Sequence, residues 1–202
     1  MNKKDCIDKI QILIETGIAD GIYEKTTDNT VNKLEKFQDF LYRNFKNFKI
    51  YDGMRPTSNQ PAHIYGTAKT HKFDNFDEIT LNKLKLRQII AQNGTFTYNA
   101  AQVIGNYLKP LVAHNNYIIK NTQDFPKLLK DQPSLGEHED YVSYDIVSLF
   151  TNIPIHERID YIIKKMYDEK KLPIICSKLS FKRLLLKLTT YSTFIFQNQF
   201  HK

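Results

Sequence analysis

Apolar residues recur every three to four places near the start of the chain, at Ile7, Ile10, Leu13, Ile14 and Ile18. That is the spacing of one helix face. Gly17 and Gly21 interrupt the stripe, and the run Thr26-Thr27-Asp28-Asn29-Thr30 offers N-caps for a second helix. The second helix has the clearest stripe of the chain: Val31, Leu34, Phe37, Leu41, Phe45 and Phe48. Residues 51–61, YDGMRPTSNQP, are rich in turn formers and predict a loop.

Beyond the loop the texture changes. Residues 62–69 and 86–91 predict two short extended segments, separated by a stretch at 70–85 too hydrophilic to be buried. Together they predict a long, exposed hairpin. Residues 98–112 predict a helix with Ala101, Ile104, Leu108 and Leu111 on one face and Pro110 near its end. Residues 114–140 are mixed and loop-rich, closing on Glu137-His138-Glu139-Asp140. The β-prone run 141–147 predicts a strand. A helix follows with Ile155, Ile159, Ile162, Ile163 and Met166 on one side and Arg158, Lys164 and Lys165 on the other. A second basic helix, near 180–190, carries Phe181, Leu184, Leu185 and Leu188. Residues 193–200 alternate like a strand, with a turn expected at Gln197-Asn198. The order of elements predicts an α+β fold. The strand at 141–147 has no neighbour in sequence except 193–200, so its sheet is short of strands.

Composition narrows the class. With 202 residues, 41% hydrophobic, 25% charged and 12% aromatic, the chain is too apolar to be wholly disordered. No apolar run approaches the ~20 residues of a membrane span, and residues 1–6 lack the apolar core of a signal peptide. Cys6 and Cys176 form no CxxC, against a disulfide scaffold or a structural zinc site. The expectation is an intracellular protein with reduced thiols, in nucleus or cytoplasm. The net charge of +7 is uneven: successive stretches 1–50, 51–100, 101–150 and 151–202 carry +1, +2, −2 and +6. A basic chain weakly favours a polyanionic partner. Of the 29 cations only Arg43, Arg55, Arg87, Arg158 and Arg183 are arginines, so an arginine at a special position carries more weight than a lysine.

The string VSYDIVSLFTNIP over 142–154 concentrates the chemistry. Asp145 falls mid-strand between β-branched residues, where a charge is costly unless it is paired or holds a metal. Phe150 follows just past the strand end. By residue type alone two readings stand. Either Asp145 is a metal-binding carboxylate with an aromatic plate beside it, or Asp145 caps a turn and Phe150 is core.

Further strings share one resemblance. VSYDIVSLFTNIP resembles motif A of the reverse transcriptases of Penelope-like retroelements, and IYGTAKTHK over 64–72 resembles their fingers motif. LRQII over 86–90, TYNAA with LKPL over 97–111, IKNTQDF over 119–125 and TFIFQNQF over 193–200 are similar to later segments in the family's order. The resemblance runs from about residue 22 to residue 202. Ala68 and Gln88 stand where the family usually has proline, and the gap between Lys72 and Arg87 is longer. The family's GxxMGSPLS and YVDD motifs are not found within these residues.

The resemblance implies an incomplete right-hand polymerase fold: a helical region at 1–60, then fingers and the start of the palm at 61–202. It implies template-directed nucleotidyl transfer from dNTP on an RNA template and a DNA primer, with two Mg²⁺ ions and no membrane. Asp145 would be the catalytic carboxylate and, with the Ile146 carbonyl, a metal ligand. Lys69 and Arg87 would contact the triphosphate. Lys72 is the alternative phosphate ligand, or a solvated lysine. Phe150 would lie under the incoming sugar and exclude a 2′-hydroxyl. Only one palm carboxylate lies within these residues, so they are expected to be inactive alone. The competing reading is a non-catalytic retroelement remnant that acts at most as a basic nucleic-acid-binding module.

Other residues point less far. The six histidines show no metal spacing, and Ser143 and Ser148 lack the Gly-rich elbow of a nucleophile. The basic faces at 158–187 suit a phosphate backbone or, more commonly, plain solvation. Tyr42, Phe45 and Phe48 read as core ahead of base-stacking platforms.

Overall fold

In the computed structural model the first stripe forms helix α1, Lys3–Ala19. The residues described are 3–27, 30–69, 86–113, 119, 121–130, 132, 134–136, 138–146, 152–191 and 193–202. Helix α1 runs through Gly17 and stops at Gly21, whose φ of 71° is easy only for a residue without Cβ. The Ile22 amide donates to the Gly17 carbonyl (2.7 Å) and the Gly21 amide to the Ile18 carbonyl (3.1 Å). These two bonds are the Schellman closure, which satisfies carbonyls the last turn would leave unpaired.

The second stripe is helix α2, Thr30–Phe45. Phe37, Leu41 and Phe45 are buried as the pattern requires. Tyr42 is 52% exposed and Phe48 38% exposed, which corrects their reading as core. Tyr42 lies one position off the stripe and Phe48 past the helix end, so neither turns inward. The loop expected at 51–61 begins with one helical turn, α3, Tyr51–Met54, anchored by the fully buried Met54.

The two extended segments form strands β1, Ala62–Ala68, and β2, Leu86–Ala91, paired antiparallel. The expected hairpin tip at 70–85 lies outside the described residues. The end of the chain forms a second hairpin, β3, Phe194–Phe196, and β4, Gln199–His201. Its turn falls at Gln197 and Asn198, with φ of 45° and 64°. Two successive left-handed residues make the turn whose twist matches a two-residue hairpin. The sheet order is β2-β1-β3-β4, with β1 and β3 parallel through Ala62↔Phe194 and His63↔Ile195. Chain at 24–26 extends the β4 edge: the Glu24 and Lys202 main chains exchange bonds of 2.8 and 2.9 Å, and Lys25 bridges His201.

The chain divides into two compact units, 1–106 with 175–202, and 107–174. In the first, α1 seals one sheet face through Ile10, Ile14, Ala62, Ile64 and Phe194. Helix α4, Tyr98–Leu108, begins in this unit, and Phe96 just before it packs edge-on to Phe37 (5.5 Å). The basic helix expected near 180–190 is α8, Lys178–Thr190. Helix α8 is capped by Ser177, whose Oγ accepts from the Ser180 amide (3.2 Å). The Ser180 hydroxyl in turn donates to Asn44 Oδ1 (2.5 Å), tying α8 to α2.

The second unit holds α5, Pro110–Ala113; α6, Asp124–Lys130; and α7, Ile155–Ile163, which continues into a π-helical turn, Lys164–Asp168. Asn121 Oδ1 caps α6 by accepting from the Gln123 and Asp124 amides. Ile159, Ile163 and Met166 are buried, matching the predicted stripe. The strand expected at 141–147 is not formed over 141–146, which are irregular and exposed. A strand needs a neighbour for its amides and carbonyls, and no described strand pairs with this segment. The observed class is α+β: helices with a four-stranded mixed sheet.

His201 is buried and stacks on Phe194 (5.2 Å between centroids), with its Nδ1 lacking a hydrogen-bond partner. Burial, with Lys25 nearby, holds its pKa below the ordinary 6.5. The imidazole is therefore neutral in the fold and protonates more readily in the unfolded chain. His201 contributes fully above the unfolded pKa, and that contribution is lost as pH falls from there through the lower folded value. We expect the melting temperature of the wild type relative to His201→Phe, which keeps the ring stack, to fall between pH 7.5 and pH 5.5. A difference independent of pH would show that His201 titrates alike in both states.

Candidate functional site

Strand alternation divides the β1–β2 hairpin into two faces. Ala62, Ile64, Gly66 and Ala68 on β1, with Leu86, Gln88 and Ile90 on β2, form the face toward α1. The register pairs His63 with Ala91, Tyr65 with Ile89 and Thr67 with Arg87 on the opposite face. There His63, Tyr65, Thr67 and Arg87 are exposed. Lys69, one residue past β1, falls on the same face by alternation and is half-buried.

The register thus brings Arg87 opposite Thr67, two residues before Lys69. Neither Lys69 nor Arg87 forms an ion pair with a carboxylate among the described residues. Two cations with no ion pair among the described residues suit a ligand with several negative oxygens, and the guanidinium can grip two of them at once. Tyr65 and Thr67 add a ring and a hydroxyl to the same face.

Gln88 turns to the other side. Its Oε1 accepts from the Tyr23 hydroxyl (2.7 Å), and burial raises the pKa of that phenol. Proline at this position would leave the half-buried hydroxyl without its acceptor. The departure from the resembled pattern therefore has a structural partner in Tyr23, 65 residues away in sequence.

Asp145 and Ile146 belong to the second unit, in the irregular segment 141–146. Asp145 is exposed, so the desolvation cost expected of a mid-strand carboxylate does not arise. Tyr141, Val142, Tyr144 and Ile146 around it are exposed as well, Tyr144 to 91%. Lys72 and Phe150 lie outside the described residues. Magnesium takes about six oxygen ligands in near-octahedral geometry. The Asp145 carboxylate and Ile146 carbonyl supply two donors, and no group of three His, Cys, Asp or Glu side chains among the described residues could hold a metal. The described residues do not by themselves make a two-metal centre.

Sequence reasoning missed a groove of about 430 Å³ between α2 and the α3 turn, in the first unit. Its α2 wall is Glu35, Gln38, Asp39 and Tyr42, and its other wall includes Tyr51 and Arg55. The signal was present: 35, 38, 39 and 42 follow helical spacing on the polar face of the clearest helix. No helix among the described residues is long and apolar enough to cross a membrane. No protein-family model, curated protein or solved structure matches the chain.

Proposed function

We propose that this chain is the fingers and early-palm part of an RNA-directed DNA polymerase of the Penelope-like type, and that the open hairpin face binds the dNTP triphosphate. The observation that carries the reading is the β1–β2 register, with Arg87 opposite Thr67, two residues before Lys69, and neither cation in an ion pair among the described residues. The ordered strings of the sequence support it independently, because the two cations come from different strings. In this reading Asp145 contributes one carboxylate to a magnesium centre whose other ligands lie outside the described residues. RNA template and DNA primer are the partners.

The test is titration of the 202-residue chain with a fluorescent dNTP. Affinity should fall from triphosphate to diphosphate to monophosphate. Arg87→Ala should weaken triphosphate binding by about tenfold, the value of one charged hydrogen bond partly exposed to water. Arg87→Lys should recover only part, because a point charge cannot make the two-toothed contact. Triphosphate binding untouched by Arg87→Ala combined with Lys69→Ala would overturn the assignment.

A further inference from the structure

The groove between α2 and α3 is a formed site with mixed chemistry. Tyr42 and Tyr51 meet edge to face at 6.4 Å and 67°. The Arg55 backbone is pinned, its carbonyl accepting from Asn99 Nδ2 (2.8 Å) and its amide bonded to the Asp52 carbonyl. Of the two carboxylates in the α2 wall, Asp39 is engaged by Arg43 Nε (2.8 Å). Glu35 has no ion pair among the described residues. The groove thus offers aromatic rings, one uncommitted carboxylate and one uncommitted guanidinium on a fixed frame. Its volume lies in the range of small-ligand sites.

We infer that this groove binds one nucleotide of single-stranded nucleic acid, its base against the tyrosines and its phosphate on Arg55. Every base has a π-face, so an exposed tyrosine is a general stacking platform. A lone carboxylate selects among bases by accepting from adjacent N–H groups, and guanine presents two such groups, N1–H and N2–H, side by side. Glu35 is therefore the group that would favour guanine. Asp39 is paired with Arg43, and Lys46 lies over one face of the Tyr42 ring (4.7 Å). Arg55 in the lining and Lys46 beside it therefore stand against Glu35 as the charges left over, which suits a phosphodiester over a cationic peptide. The inference stands apart from the dNTP reading, since the groove shares no residue with the hairpin face.

The test is fluorescence anisotropy with labelled single-stranded RNA 12-mers, one G-rich and one A-rich, and with GMP as competitor. Tyr42→Ala and Arg55→Ala should each weaken RNA binding at least about fivefold, the lower end of the loss for a base–aromatic stack. Arg55→Ala should also lower the slope of log affinity against log salt by about one, the signature of a lost phosphate contact. Glu35→Gln should reduce the preference for the G-rich strand. Tyr42→Leu keeps an apolar side chain on the helix and serves if the alanine variant fails to fold. Competition by GMP as strong as by the RNA, nucleotide for nucleotide, would place a free nucleotide in the groove; weak competition identifies the strand. Binding unchanged in both Tyr42→Leu and Arg55→Ala overturns the inference. So does Tyr42- and Glu35-dependent binding of an arginine-rich peptide in place of RNA. Failure here is distinguishable from failure of the dNTP reading, because the groove variants Tyr42→Leu and Arg55→Ala are read with RNA and the hairpin variants with a dNTP.

Discussion

Phe194→Ala is expected to cost about 3–5 kcal/mol, as for other fully buried phenylalanines, and so to remove much of the stability of a domain of this size. Phe194 is fully buried at the meeting of three elements. It pairs with Ala62 across the parallel contact, meets the Tyr23 ring edge-on (5.3 Å, 78°) and carries the His201 ring flat against it (5.2 Å). Truncation would leave a cavity among Ile10, Ile14 and Ile64 that strand and helix backbones cannot close. Ile195, next in sequence, alternates to the other face and is only half-buried. Urea unfolding of Phe194→Ala and Ile195→Ala should show a loss at least twice as large for the first. Equal losses would mean that the β1–β3 junction is not the centre of this core.

Gly17→Val should destabilise the protein by about 1–3 kcal/mol, the usual cost of overpacking, although valine has the better helix propensity. The propensity gain is a few tenths of a kcal/mol, since glycine is about 1 and valine about 0.6 below alanine. Against it stands a close approach. A Cβ on residue 17 would lie 2.5 Å from Tyr23 Cδ2 and 2.8 Å from Cε2. The ring cannot swing away freely, because its hydroxyl bonds Gln88 and the ring packs near-perpendicular to Phe194. Gly17→Ala should fall in the same direction by less. Thermal melting decides the sign: a Gly17→Val protein as stable as wild type would show that Tyr23 repacks without cost.

The α+β class, helices α1, α2, α4, α7 and α8, and the extended segments at 62–68 and 86–91 were legible because each rests on local periodicity. The stripes Phe37-Leu41-Phe45 and Ile159-Ile163-Met166 are buried as the spacing requires, and the Gln197-Asn198 turn falls where alternation breaks. The residue types of the hairpin face were legible too, since Lys69 and Arg87 stand in recognisable strings. That Arg87 stands opposite Thr67 was not, because it depends on a register fixed across a gap whose length the pattern does not determine. The parallel contact of β1 with β3 was equally hidden. It joins Ala62 to Phe194, and no local signal encodes a pairing over such a separation. The segment 141–146 shows the reverse: strong β propensity, yet no strand, because propensity does not supply a hydrogen-bonding neighbour. Tyr42 shows it for a single residue. An aromatic next to an apolar stripe reads as core, and only the packing of α2 turned it outward to wall a groove with Tyr51 and Arg55. Sequence determined which residues could form helices, strands and a cationic pair; tertiary structure decided which face each one met, since burial is set by neighbours far along the chain.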